Sequence, residues 1–141
     1  MARAAAAGAQ ALLGAFVSSG ARYDRTLEGL TVLSVQPSRV VCELTVREAH
    51  SNSYGTLHGG CTATLVDIVG TMAALSVDPL RPGVSVDLNV SYMAAAKVGE
   101  RVVLVGKCLR MGGRLAFTTV EVFLHEEGGK VVARGSHTKA L

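Results

Sequence analysis

A chain of 141 residues with 49% apolar content supplies one domain with a substantial core and leaves no room for a second. Its net charge of +3 and 4% aromatic content, with a pI near 9.0, argue against a nucleic-acid binder and suit a site for a phosphorylated small molecule. No apolar run reaches the roughly 18 residues a membrane span needs, which predicts a soluble protein, and Cys42, Cys61 and Cys108 lie in apolar runs without metal-ligand or Cys-x-x-Cys spacing, which predicts free buried thiols rather than disulfides.

In chain order, residues 1–22 carry Arg3 and Arg22, two serines, many alanines and no acid. That composition is permitted for a mitochondrial presequence but arginine-poor for one. An alanine-rich helix over Ala4 to Ser19 is expected instead, with Leu12, Leu13, Phe16 and Val17 on one face and an end near Gly20. Both a cytoplasmic and a mitochondrial location fit. The domain proper is expected over 23–141.

Leu27 to Val46 is β-rich and broken by Gln36-Pro37-Ser38, which predicts two antiparallel strands joined by a short hairpin. Glu48 to Leu57 reads as a loop leading into the apolar run Cys61 to Val77, which is long enough for a buried helix and is stopped by Asp78-Pro79-Leu-Arg-Pro82-Gly83. Val84, Val86, Leu88, Val90 and Tyr92 then alternate with Ser85, Asp87, Asn89 and Ser91, the pattern of a half-buried strand. Three further strands are expected over Glu100 to Arg110, Arg114 to His125 and Lys130 to Lys139, separated by the hairpin signals Gly112-Gly113 and Gly128-Gly129. Strands interrupted by one long buried helix imply an α+β fold, an antiparallel sheet wrapped around that helix.

The glycines of Asn52-Ser-Tyr-Gly-Thr-Leu-His-Gly-Gly60 leave backbone N–H groups uncovered where the helix begins. The first turn has no intrahelical partners for those groups, and the macrodipole adds partial positive charge, so a developing oxyanion is favoured there. Gly60, Thr64, Asp67 and Thr71 are spaced four, three and four apart, which places them on one stripe. A carboxylate on an otherwise buried helix is costly unless it is paired, hydrogen-bonded or chemically employed. From the stripe alone, a structural Asp bonded to a neighbouring segment and a functional one are equally good readings.

The string His50-x-Asn52-x4-Leu57-His58-Gly59-Gly60, with Asp67 seven residues after the second glycine and Gly83-Val-Ser85-Val-Asp87 beyond, resembles the hotdog-fold acyl-CoA thioesterases, specifically their small thioesterase-superfamily member 2 type. The resemblance covers about residues 23 to 139. It implies the hotdog fold and hydrolysis of medium- to long-chain fatty acyl-CoA, with coenzyme A as part of the substrate and no metal or cofactor. It also implies composite sites between subunits, a dimer of dimers, and a possible lipid-transfer protein as partner.

Thioester hydrolysis needs a polarised carbonyl, an activated water and a stabilised thiolate. Gly59 can offer a backbone N–H to the carbonyl oxygen and Asn52 a side-chain amide. Asp67 suits a general base, or a nucleophile. Gly59 and Asp67 are eight residues apart, about 12 Å along a helix, so one subunit cannot easily bring both to one carbonyl. A two-fold dimer with antiparallel helices would.

By resemblance, Ser85 positions the water and His58 orients the loop or meets the departing sulfur; His50 is read as structural. Ser85 is expected on the polar face of its strand, away from its own helix. Coenzyme A contacts are implied for the segments Tyr92, Met93, Ala94, Ala95, Ala96, Lys97 and Arg110, Met111, Gly112, Gly113, Arg114, Leu115, with Lys97, Arg110, Arg114 and Lys139 as phosphate partners. Ala94-Ala95-Ala96 departs from the family's usual serine and proline there, which predicts a less rigid segment. No Gly-x-Ser-x-Gly elbow is present, which argues against a covalent serine hydrolase. A hotdog dehydratase and a non-catalytic acyl-CoA binder are the competing readings.

Overall fold

The computed structural model describes residues 22–141 together with Ala11 and Gly14. The expected helix over Ala4 to Ser19 and the targeting-like reading of 1–22 otherwise lie outside the described residues. A 3-10 turn, Tyr23–Leu27, leads to β1 (Thr31–Gln36) and β2 (Arg39–Thr45), and a second, Glu48–His50, precedes α1 (Gly59–Leu75). β3 (Val84–Tyr92), β4 (Arg101–Met111), β5 (Leu115–Leu124) and β6 (Val131–Ala140) complete the chain.

The first strand starts later than the β-rich composition suggests, because Leu27 is fully buried as the anchor of the 3-10 turn. Pro37 and Ser38 close the β1–β2 hairpin, with Ser38 at φ 67 and its N–H bonded to Ser76 Oγ beyond the helix. The six strands form one antiparallel sheet in the order β1-β2-β4-β5-β6-β3. The strand that follows the helix therefore lies at the far edge, beside the last strand.

α1 lies across the sheet, and its Leu65, Val66, Val69 and Met72 form one cluster with Val40, Cys42 and Leu44 of β2, Val102 and Leu104 of β4, and Val120 and Val122 of β5. Each such side chain stabilises the fold by about 1.5–3 kcal/mol on burial. Two glycines set how closely helix and sheet approach. A Cβ on Gly106 would lie 2.9 Å from both Val69 Cγ1 and Val69 O, and one on Gly135 would collide with both methyls of Val66.

Two expectations need correction. The helix is not covered all round: Gly59, Gly60, Ala63 and Asp67 form an uncovered strip on an otherwise buried element. β3 is not half buried either. All its residues except Val90 are exposed, with Val84 at 70% and Val86 at 60%, because it is the edge strand and no strand among the described residues lies beyond it.

Candidate active site

At the start of α1, the loop is held by its own polar groups. Asn52 Oδ1 accepts from Tyr54 N–H at 3.0 Å and Thr56 N–H at 3.2 Å, while its Nδ2 donates to Thr56 Oγ1 at 2.9 Å. One of the two amide hydrogens of Asn52 is thus committed to the loop and one is left for a ligand. His50 is buried, accepting Arg47 N–H on Nδ1 and His58 N–H on its carbonyl oxygen, which is the structural place expected for it.

His58 is the N-cap of α1, its Nδ1 accepting Gly60 N–H at 2.8 Å. A neutral ring then carries its proton on Nε2, at an exposed position. Thr62 N–H turns back to His58 O, whereas the N–H of Gly59 meets no acceptor among the described residues. That group is one of the helix's orphan donors, with the dipole behind it. Tyr92 covers it from one side, its hydroxyl donating to Gly59 O at 2.7 Å.

Two turns further along, Asp67 is 41% exposed in its side chain and faces the C-terminal strand, with His137 Nδ1 3.7 Å from its Oδ1. His137 is fully buried, and its Nε2 is 2.7 Å from Ser85 Oγ. Burial pushes the His137 pKa down while Asp67 pulls it up. The separation from Asp67 is too long for a hydrogen bond, and Nδ1 has no other partner among the described residues. A bare nitrogen lone pair facing a carboxylate would be repelled, so the proton of the neutral ring belongs on Nδ1. Nε2 then accepts the Ser85 hydroxyl proton, and the Ser85 oxygen keeps lone pairs for an incoming water.

Lys139, also buried, donates to Thr71 Oγ1 at 2.8 Å, and Thr71 in turn bonds Asp67 O. Burial lowers the pKa of this ammonium and the charge of Asp67 opposes the shift. Its place in the Asp67 cluster differs from the solvated phosphate partner expected.

Ser85 faces its own helix, contrary to the alternating pattern. A β-bulge between Ser85 and Asp87 changes the register on β6, so Ser85 (opposite Lys139) and Leu88 (opposite His137) share the inner face although they differ in parity. His137 escaped the sequence reading altogether. The available signal was the alternation Ala133, Gly135, His137, Lys139, all buried against exposed Arg134 and Ser136: a small-residue run against a helix that ends in two polar side chains.

The residues with coenzyme contacts implied fall into two groups. Tyr92–Lys97 sits beside the Gly59 loop, where Leu57 N–H bonds Ala96 O and Thr56 pairs with Lys97. Ala96 is buried and the N–H groups of Met93 and Ala94 both reach Val132 O, so the alanine segment is anchored by its backbone. The Arg110–Arg114 turn, with both guanidinium-bearing residues exposed, is at the other end of β3, since Leu115 and Val84 both pair with Ala140. Val84 and Tyr92 are roughly 26 Å apart at about 3.3 Å per residue. The candidate residues thus fall into two groups on this chain: Asn52, His58, Gly59 and Tyr92–Lys97 at one end, Asp67, Ser85, His137, Lys139 and the arginine turn at the other.

The Thioesterase superfamily pattern matches residues 54–132, a stretch holding His58, Gly59, Asp67 and Ser85. The chain belongs to the thioesterase superfamily. It is accordingly a thioester hydrolase, and the helix-in-sheet architecture is the hotdog fold of that superfamily. Human acyl-coenzyme A thioesterase 13 is 48% identical over 119 residues, 84% of each chain. The crystal structure of zebrafish thioesterase superfamily member 2 superposes with a TM-score of 0.90 at 44% identity, covering 96% of this chain and 97% of that one. The mouse member 2 structure superposes with a TM-score of 0.87 at 41% identity, covering 96% of each. Asn52, His137 and Lys139 lie outside the matched stretch of this thioesterase, although they belong to its two groups of candidate residues. Among the described residues no cluster of three or more His, Cys, Asp or Glu could hold a metal, and no helix is long and apolar enough to cross a membrane.

Proposed function

We propose that this thioesterase hydrolyses medium- to long-chain fatty acyl-CoA to free acid and coenzyme A, at sites each shared between Gly59 of one subunit and Asp67 of the partner subunit. The observation that carries this reading is the division of the subunit into two half-sites, about 12 Å apart along one helix, beside an edge strand with exposed apolar residues. A two-fold axis that pairs the β3 edges antiparallel sets the Gly59 end against the Asp67 end twice per dimer, and it brings the arginine turn of one subunit to the Tyr92–Lys97 segment of the other. Acyl-CoA as substrate is supported by the likeness to human acyl-coenzyme A thioesterase 13.

In this mechanism the carbonyl oxygen accepts the Gly59 N–H and the free amide hydrogen of Asn52. Water held by the Ser85 oxygen attacks the carbonyl carbon and gives its proton to Asp67. Collapse of the tetrahedral intermediate breaks the C–S bond, and the proton on Asp67 goes out with the thiolate. Asp67→Asn should lower kcat by at least about 10² without loss of folding. Mixing it with Asn52→Ala subunits should restore up to half the activity of the normal dimer, since each heterodimer rebuilds one intact site. No recovery after verified subunit exchange would refute the shared site, and near-normal turnover of Asp67→Asn would remove Asp67 from the chemistry.

A further inference from the structure

Flanked by His58 and Gly60, the two neighbours of Gly59, a cavity of about 160 Å³ opens beside the helix start. Tyr23, Ala49 and Cys61 supply its apolar walls. Most of its polar groups are spent on the protein itself: Thr26 Oγ1 donates to Tyr23 O, Ser51 Oγ to Glu48 O, and His50 Nδ1 and His58 Nδ1 accept backbone N–H groups. Apart from the exposed Nε2–H of His58, such a surface offers a ligand mainly apolar contact. Burial also pushes the Cys61 thiol up to about 11, so this wall of the cavity is neutral.

The cavity has room for about five water-sized groups. A wider cleft of about 550 Å³ lies beyond it and shares Tyr23, Thr26, Ala49 and His50 as lining. Tyr23 stands on the boundary, tethered by its hydroxyl to Thr64 Oγ1 at 3.2 Å, on a 3-10 turn pinned by buried Leu27. A third cleft, of about 630 Å³, is lined by Glu43 and Arg101, which pair with each other, and by no residue of either half-site.

We propose that the cavity beside Gly59 receives the acyl group and that Tyr23 is the residue that sets chain length, dividing a short inner compartment from the outer cleft that longer chains must reach. This rests on the reading of the protein as an acyl-CoA thioesterase. The thioester carbonyl at Gly59 leaves two ways out. Tyr92 and the segment after it hold the side of the coenzyme, and the mainly apolar cavity is left for the hydrocarbon. A short acyl group ends inside the inner compartment. A long one has to displace the Tyr23 ring, which breaks one partly buried hydrogen bond.

The test is kcat/KM for butyryl-, octanoyl- and palmitoyl-CoA with Tyr23→Ala, Tyr23→Phe and Ala49→Phe, each checked for folding by circular dichroism. Opening the boundary in Tyr23→Ala should raise the palmitoyl-to-butyryl ratio about tenfold or more, the scale on which pocket contacts discriminate apolar groups. Tyr23→Phe should shift it in the same direction by less, since the ring stays and only the tether goes. Ala49→Phe, at an exposed position where folding is tolerant, should lower the ratio by filling the shared wall. If all three variants change the three substrates by one common factor, the cavity does not take the acyl chain and the inference falls. If the unmodified protein releases no coenzyme A from any of the three, it is the acyl-CoA reading that fails.

Discussion

Gly135→Ala tests the contact that holds helix and active strand together. The new Cβ would press into both methyls of Val66, 2.9 Å from Cγ2, and would lie 3.2 Å from Asn89 O. Methyl carbons are at ease only at about 3.5–4.0 Å, and a helical Val has essentially one open rotamer, so turning the side chain relieves nothing. The helix must lift from β6, which should cost about 1–3 kcal/mol. Asp67, adjacent to Val66, lifts with it, away from His137 and Ser85, so kcat/KM should fall as well. Val66→Ala removes both offending methyls, and in the double variant the added methyl partly fills the space they leave. The two substitutions together should therefore cost less than the sum of the singles, by about 0.5–3 kcal/mol of coupling. Gly106→Ala with Val69→Ala serves as the contrast, because Val69 O stays 2.9 Å from the new Cβ and is not removed by trimming the side chain. Urea unfolding at fixed protein concentration, read as a change in midpoint at unchanged slope, measures all of these. A Gly135→Ala variant within about 0.5 kcal/mol of the parent, or equal rescue in both pairs, would show that helix–strand contact does not set the spacing.

Ser85→Ala and His137→Gln should each lower kcat more than they raise KM. Because the two side chains act as one hydrogen-bonded unit, the double variant should be little worse than the poorer single; fully additive losses would break that link. pH should act on stability through His50 and His137, whose pKa values burial depresses below 6.5. Below that pH the unfolded chain takes up protons that the folded chain refuses. Stability is thus complete above about 6.5 and falls on acidification, by up to about 1.4 kcal/mol per pH unit for each histidine. Urea midpoints that stay level between neutral and mildly acidic pH would contradict the neutral, buried state of both rings.

The sequence by itself determined the element types and the glycine-rich entry to the helix. Periodicity, turn residues and the length of the apolar run are local properties, and they marked the helix and the six strands within a few residues. The Asn52–Gly60 loop was legible for the same reason: a bare glycine amide at a helix start acts within one turn, whereas the N-capping role of His58 appeared only in the structure. The strand carrying Ser85 was misread on both counts that depend on neighbours. Its alternation speaks of two unlike faces, but its exposure follows from an edge position that only strand order assigns. Its parity is reversed at a bulge whose partner, β6, lies some fifty residues away, as the Ser85–His137 bond shows. His137 and Lys139 were beyond local reasoning because their meaning is in what they face. A polar residue on a strand acquires a role only when packing sets it under the helix beside Asp67, where burial removes water from the imidazole and the ammonium and leaves them next to a half-exposed carboxylate.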